Sequence, residues 1–199
     1  MKKFVSSNYP RGSEWRRWDL HIHTPESKLG DSFTGVGWSE FVDRLEDAAI
    51  AHSIAVIGVT DYLSIDGYEK LHAERTSLNH PRLQSVAFLL PNIELRALPA
   101  TSDNKALNIH LLVDSSDPDH IQQIRRALRN LRIKHGEKYY GCVRDELIEY
   151  GRVLRPGTTS DEAAYAYGIQ QFKPSYQEIH AWLDKESWLN TNSLLGISN

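Results

Sequence analysis

The chain has 199 residues, 40% apolar and 25% charged, with a formal net charge of −3, as is ordinary for a soluble globular protein. That balance does not favour a nucleic-acid-binding protein on charge alone, and the single cysteine excludes an intramolecular disulfide and a zinc module built on two or four cysteines. No run of about 18 apolar residues and no signal peptide occurs, so we expect one domain over residues 1–199, outside membranes and in the cytoplasm.

Strands and helices are predicted to alternate over the first 130 residues. Short, largely aliphatic runs predict strands at 54–60, 86–90 and 109–113, and an alternation of apolar and polar residues predicts one at 18–23. Capping residues followed by helical periodicity predict helices that begin at Ser39, Asp66 and Asp117. This alternation favours an α/β fold with a mainly parallel sheet.

A mostly helical segment is predicted from about 135 to 190. It contains the capping-box patterns Thr159-x-x-Glu162 and Ser175-x-x-Glu178. A last aliphatic run at 194–197 predicts one more strand, which makes the helical segment an insertion between two strands of one sheet. Because the sequence stops as that strand ends, we expect it to be part of a longer protein.

Side chains that can bind a metal ion lie beside most predicted strands. His21 and His23 are two residues apart on the first strand, which places both imidazoles on one face. Asp61 follows the second strand, Glu94 follows the third, and His110 lies within the next. Such residues can converge where strands end, and histidine with carboxylate suits zinc, manganese or iron. Each also has an ordinary alternative, as a strand histidine, a loop carboxylate or a core histidine.

The polar residues belong to an ordered series of motifs. Asp19-Leu20-His21-Ile22-His23-Thr24-Pro25 comes first, followed by Val59-Thr60-Asp61, Asn92-Ile93-Glu94-Leu95 and Asn108-Ile109-His110-Leu111. Over roughly residues 15–115 this series resembles the PHP superfamily, the polymerase and histidinol phosphatase domains. The resemblance implies a distorted (β/α)7 barrel, here truncated at its carboxyl end. It also implies two or three divalent metals and hydrolysis of phosphoesters, from small monoesters to nucleic-acid diesters.

The resemblance assigns roles to individual residues. It implies that His21, His23, Glu94 and His110 bind the metals. Asp61 matches the aspartate of the family's Thr-Asp-His motif, and it would bind a metal or orient a ligand.

Two departures from the family pattern and one further candidate residue, Asp31, concern the same site. Tyr62 replaces the histidine of the Thr-Asp-His motif, so one metal position is weakened or the tyrosine contacts the substrate. Asp31 lies in the loop that often contributes a ligand or proton carrier in this family, and a solvated turn aspartate is its alternative. The family's later histidine and its final Asp-x-His motif have no counterpart after His110, which implies an incomplete site.

The sequence around the first motif resembles PHP domains fused to SMC-like or ABC-type ATPases, which are associated with nucleic-acid processing and phage defence. Three functions therefore stay open: a phosphoesterase acting on nucleic acid or nucleotides, a non-catalytic sensor or docking module for an ATPase, and a small-molecule phosphatase. A basic helix surface would serve a nucleic acid, or is simply a solvated face; it comprises Arg125, Arg126, Arg129, Arg132 and Lys134.

Overall fold

The computed structural model describes residues 15–29, 32–98 and 107–198. The strands in these ranges are β1 (Arg17–Ile22), β2 (Ile54–Tyr62), β3 (Phe88–Ala97), β4 (Leu107–Val113), β5 (Arg132–His135), β6 (Lys138–Gly141) and β7 (Ser193–Ser198). The helices are α1 (Trp38–Ala51), α2 (Asp66–Thr76), α3 (His120–Asn130), α4 (Arg144–Leu154), α5 (Asp161–Gln171), α6 (Tyr176–Lys185) and α7 (Ser187–Thr191). The predicted α/β fold is confirmed.

Five strands form one mixed sheet in the order β1-β2-β3-β4-β7. Helices α1 and α2 connect β1, β2 and β3, which run parallel, whereas β4 is antiparallel to β3 and β7 is antiparallel to β4. The predicted (β/α)7 barrel is therefore wrong, because the described residues form an open sheet that is parallel in only one half. Strands β5 and β6 form a separate hairpin.

The length of β3 explains why the parallel pattern stops there. The prediction ended this strand at residue 90, but it continues to Ala97. Only nine residues then separate Ala97 from Leu107, fewer than the dozen or more that a parallel crossover needs. The chain therefore returns antiparallel, and Glu94 lies within β3, paired with His110 on β4, rather than beyond the strand end.

The register of the sheet separates its two faces. Asp61, Ile93 and Leu111 are partners in one row across β2, β3 and β4. The next row contains Tyr62, Glu94 and His110. Because successive side chains on a strand point to opposite faces, the first row faces the helix-covered core and the second faces the other side of the sheet.

The segment between β4 and β7 begins with α3 and the β5–β6 hairpin, so the predicted helical insertion is helical only from Arg144 onward. Its capping box at Ser175 and Glu178 is confirmed. Other helix starts shift by one or two residues, because neighbouring positions can serve as the cap: Gly37, Asp119 and Ser160 replace Ser39, Asp117 and Thr159. None of the helices in the described ranges has the length and apolar character to cross a membrane.

Candidate metal centre

Three of the predicted ligands meet on one face of the sheet. His21 lies on β1, His23 follows β1 directly, and Glu94 lies on β3. The Nε2 atoms of the two histidines are 3.2 Å apart. The Glu94 Oε2 atom lies 3.5 Å from the His21 Nε2 atom and 3.7 Å from the His23 Nε2 atom. These three side chains form a cluster that could hold a metal ion.

The cluster has the spacing and charge that a divalent cation requires. Ligands of a tetrahedral ion at about 2.0–2.1 Å are separated from each other by about 3.3 Å, close to the three distances observed. Glu94 is fully buried, and neither of its carboxylate oxygens has a hydrogen-bond partner in the described part of the chain. Burial raises the pKa of Glu94, although Tyr62 and His21 oppose the shift. A buried carboxylate whose oxygens lack a close hydrogen-bond donor is stabilised by a proton or by a cation.

A serine fixes the orientation of His23. The Ser27 hydroxyl donates a hydrogen bond to the Leu29 carbonyl oxygen at 2.9 Å. The Ser27 oxygen can then accept from His23 Nδ1, which is 3.2 Å away. This arrangement places the proton of neutral His23 on Nδ1 and leaves the lone pair of Nε2 facing the cluster, as in metal-binding histidines whose other nitrogen is held by a neighbour.

Asn92 holds His110 in the same way. Its amide nitrogen donates to the Leu20 carbonyl oxygen at 2.8 Å and to the Thr60 hydroxyl at 3.0 Å. Its oxygen is thus left to accept from His110 Nδ1 at 3.2 Å. The His110 ring packs edge-on against His21, with 4.6 Å between ring centroids. Burial and the two neighbouring histidines lower the pKa of His110 to about 4, so it is neutral at pH 7.

Tyr62 lies inside the centre, on the same row as Glu94. Its ring stacks on His23 with a centroid separation of 5.4 Å and an interplanar angle of 14°. Burial, together with the charge of Glu94, raises the pKa of Tyr62 above its ordinary value. Tyr62 is thus placed where the predicted contact with a substrate is feasible, and that role stays a prediction.

Asp61 points away from the histidine cluster. Its Oδ2 atom accepts hydrogen bonds from the backbone N–H groups of Gly67 at 2.9 Å and Tyr68 at 3.2 Å, in the first turn of α2. The cause is strand alternation, since Tyr62 occupies the opposite face. Burial raises the pKa of Asp61 to about 7. The structure therefore gives Asp61 a helix-capping contact, while Asp31 lies outside the described residues.

The capping contact of Asp61 predicts different effects for two substitutions. A carboxyl whose pKa rises from 3.8 to about 7 on folding binds an extra proton in the folded state, so wild-type stability falls as pH rises from about 4 to 7. Asp61→Asn keeps an acceptor without charge, and we expect it to match the wild type near pH 4 and to exceed it at pH 8 by roughly 1–4 kcal/mol. Asp61→Ala loses the cap, which costs about 1–2 kcal/mol relative to Asp61→Asn at both pH values.

Urea unfolding of chelator-treated protein at the two pH values measures these effects. If Asp61→Asn and Asp61→Ala lose equal stability relative to the wild type at pH 8, the negative charge of Asp61 itself is needed. That result is expected of a metal ligand rather than of a helix cap.

Three residues of the centre were not assigned from sequence. Ser27 and Asn92 orient histidines, and Arg96 lies two residues after Glu94 on β3. The alternation Asn92-x-Glu94-x-Arg96 was the available signal, because it marks one polar face of a strand. The predicted basic helix surface is wrong in part, because the helix ends at Asn130 and Arg132 and Lys134 lie on β5. Its positive charge is partly neutralised, since Arg125 pairs with Glu69 and Arg132 with Glu146.

Comparisons with known proteins add one distant structural match. No family model matches the chain, and no curated protein matches it. Three chains of solved structures match. One, from Bifidobacterium adolescentis and described as a "putative metal-dependent phosphoesterase", is 14% identical with a TM-score of 0.39, covering 90% of this chain. The match spans only 65% of that structure's chain.

Proposed function

We propose that this chain is a metal-dependent phosphoesterase domain, with His21, His23 and Glu94 as the core of its metal site and His110 as a further ligand. The observation that carries the proposal is the buried Glu94 carboxylate, which lacks hydrogen-bond partners in the described ranges and faces two histidine nitrogens. Zinc, manganese and iron suit this set of nitrogen and oxygen donors.

The side chains of the centre have separate tasks in this proposal. Ser27 and Asn92 hold the Nδ1 atoms of His23 and His110, which leaves the Nε2 atom of each ring available to a metal. Glu94 supplies the negative charge of the site from a fully buried position, whereas the His21 side chain is 45% exposed to solvent. The chemistry that a bound divalent ion supplies is Lewis-acid activation of water and of a phosphoryl oxygen.

The substrate is proposed to be a phosphoester of nucleic acid or of a nucleotide, and a small phosphorylated molecule is the alternative. An ATPase domain or partner in a longer protein, and a role in phage defence, are proposals that rest on sequence resemblance. The pairing of Arg125 and Arg132 with carboxylates leaves less free positive charge for a long nucleic acid than the sequence suggested.

Hydrolysis assays with zinc or manganese test the proposal. Substrates are a chromogenic phosphate monoester, the corresponding diester and single-stranded DNA. We expect turnover of at least one, loss on chelation, and a fall on the order of 100-fold or more in Glu94→Gln. Glu149→Gln, which removes an exposed carboxylate paired with Lys138, should leave turnover unchanged. Hydrolysis that survives chelator or is unaffected in Glu94→Gln refutes the proposal.

A further inference from the structure

A second charged group stands at the rim of the metal centre. Arg96 follows Glu94 by two residues on β3, so both side chains leave the same face of the strand. Two residues of strand advance about 7 Å toward its carboxyl end. Arg96 is partly exposed, whereas Glu94 is fully buried. Arg96 therefore lies nearer to solvent than Glu94 on the same face of β3.

Tyr62 holds this guanidinium in place. The Arg96 Cζ atom lies 5.2 Å from the centroid of the Tyr62 ring, and the Tyr62 ring in turn stacks on His23. The Tyr62 hydroxyl also interacts with Arg96. His23, Tyr62 and Arg96 thus form a continuous stack that links a candidate ligand to a cation. Stacking on an aromatic ring leaves the edge of a guanidinium, with its N–H donors, available to an acceptor.

Arg96 differs in its partners from half of the other arginines in the described ranges. Six arginines form ion pairs with carboxylates: Arg44, Arg82, Arg125, Arg132, Arg144 and Arg152. No carboxylate of the described residues lies within salt-bridge distance of Arg96, although its positive charge acts to lower the pKa of Glu94. Its ring contact is with Tyr62. A partly buried cation of this kind favours an anion supplied from outside, and guanidinium binds two oxygens of a phosphate at once.

We propose that Arg96, held on Tyr62, binds the non-bridging oxygens of the substrate's phosphoryl group at the rim of the metal centre. The proposal rests on the proposed function for the identity of that group. It adds to the metal cluster a binding element that selects an anion and positions it next to Glu94 and His23. Arg96 and Tyr62 then act as one unit, in which the ring sets the direction of the guanidinium.

Calorimetric titration with inorganic phosphate tests the proposal without relying on turnover. Both metal-loaded and chelator-treated protein are titrated. We expect Arg96→Gln to bind phosphate roughly 10- to 100-fold more weakly than the wild type. Arg96→Lys should recover part of the affinity, because it restores the charge but not the two-oxygen geometry. Arg155→Gln is the matched control, since Arg155 also lies over a tyrosine ring, that of Tyr167 at 5.8 Å, and should leave affinity unchanged.

Each result of the titrations either supports or overturns phosphate binding by Arg96. Phosphate affinity equal to wild type in Arg96→Gln overturns the proposal, as does a wild type that binds no phosphate in either form. Equal losses in Arg96→Gln and Arg155→Gln also overturn it, because the effect would then be one of general charge. If binding depends on Arg96 while no phosphoester is hydrolysed, the anion site stands and the proposed function fails.

Discussion

The double substitution His21→Ala/His23→Ala is expected to abolish stoichiometric binding of zinc or manganese. These residues contribute two of the three donor atoms that lie within 4.8 Å of one another. Their removal leaves Glu94 as the remaining ligand of the cluster, and we expect affinity to fall on the order of 100-fold or more. Metal content by elemental analysis after dialysis, together with titration calorimetry, measures the loss.

Thermal unfolding gives a second readout of the same prediction. A ligand present at 100 times its Kd stabilises the folded state by about 2.7 kcal/mol, so the wild type should gain about that much from metal and the double variant almost nothing. His52→Ala/His80→Ala is the matched control, because both of these histidines are exposed and lie outside the cluster. If the double variant and the control retain equal metal, the centre is not where the geometry places it.

Gly58→Ala is expected to be the most damaging single substitution in the sheet. An added Cβ atom at Gly58 would lie 2.4 Å from the Leu20 carbonyl oxygen and 2.8 Å from the Leu20 Cα atom. These are backbone atoms of β1, so the strand itself must move away from β2. Overpacking of this kind costs about 1–3 kcal/mol and more where backbone cannot yield; we expect about 3 kcal/mol, measured by urea unfolding.

The same substitution should weaken the metal centre, because Leu20 precedes His21 and its carbonyl oxygen accepts from Asn92. Gly196→Ala is the matched control within the sheet, since its added Cβ atom would have only an ordinary contact at 4.0 Å with His110. A loss of stability in Gly58→Ala no larger than in Gly196→Ala would show that β1 and β2 are not as close as described.

The local pattern of the sequence predicted side chains that the structure brings close together, although their binding of a metal stays a prediction, and it did not predict their surroundings. The two-residue spacing of His21 and His23 placed them on one face, and recurrence at later strands led to Glu94 and His110. The roles of Ser27 and Asn92 depend on side-chain hydrogen bonds, which pattern does not reveal. Asn92, for example, contacts Leu20, 72 positions away in sequence.

The fold was predicted only in class, because a few residues at a strand end changed the topology. The aliphatic run at 86–90 was recognised, but the polar alternation that follows it belongs to the same strand. With β3 extended to Ala97, no room for a crossover helix remained, and the parallel prediction failed. The prediction that placed both Asp61 and Tyr62 at the metal site met a related limit, since adjacent residues on a strand face opposite sides of the sheet.

The order of the strands also bears on how the centre assembles during folding. Glu94 and His110 are partners in a pairing of neighbouring strands, β3 and β4, whereas the β4–β7 pairing joins Val113 to Ser193. Contacts between residues close in sequence form at lower entropic cost than distant ones. Strands β3 and β4, which carry Asn92, Glu94 and His110, can therefore associate early. His21 and His23 join them only when β1 docks. Metal binding would then stabilise the docked state of β1, coupling occupancy of the centre to completion of the fold.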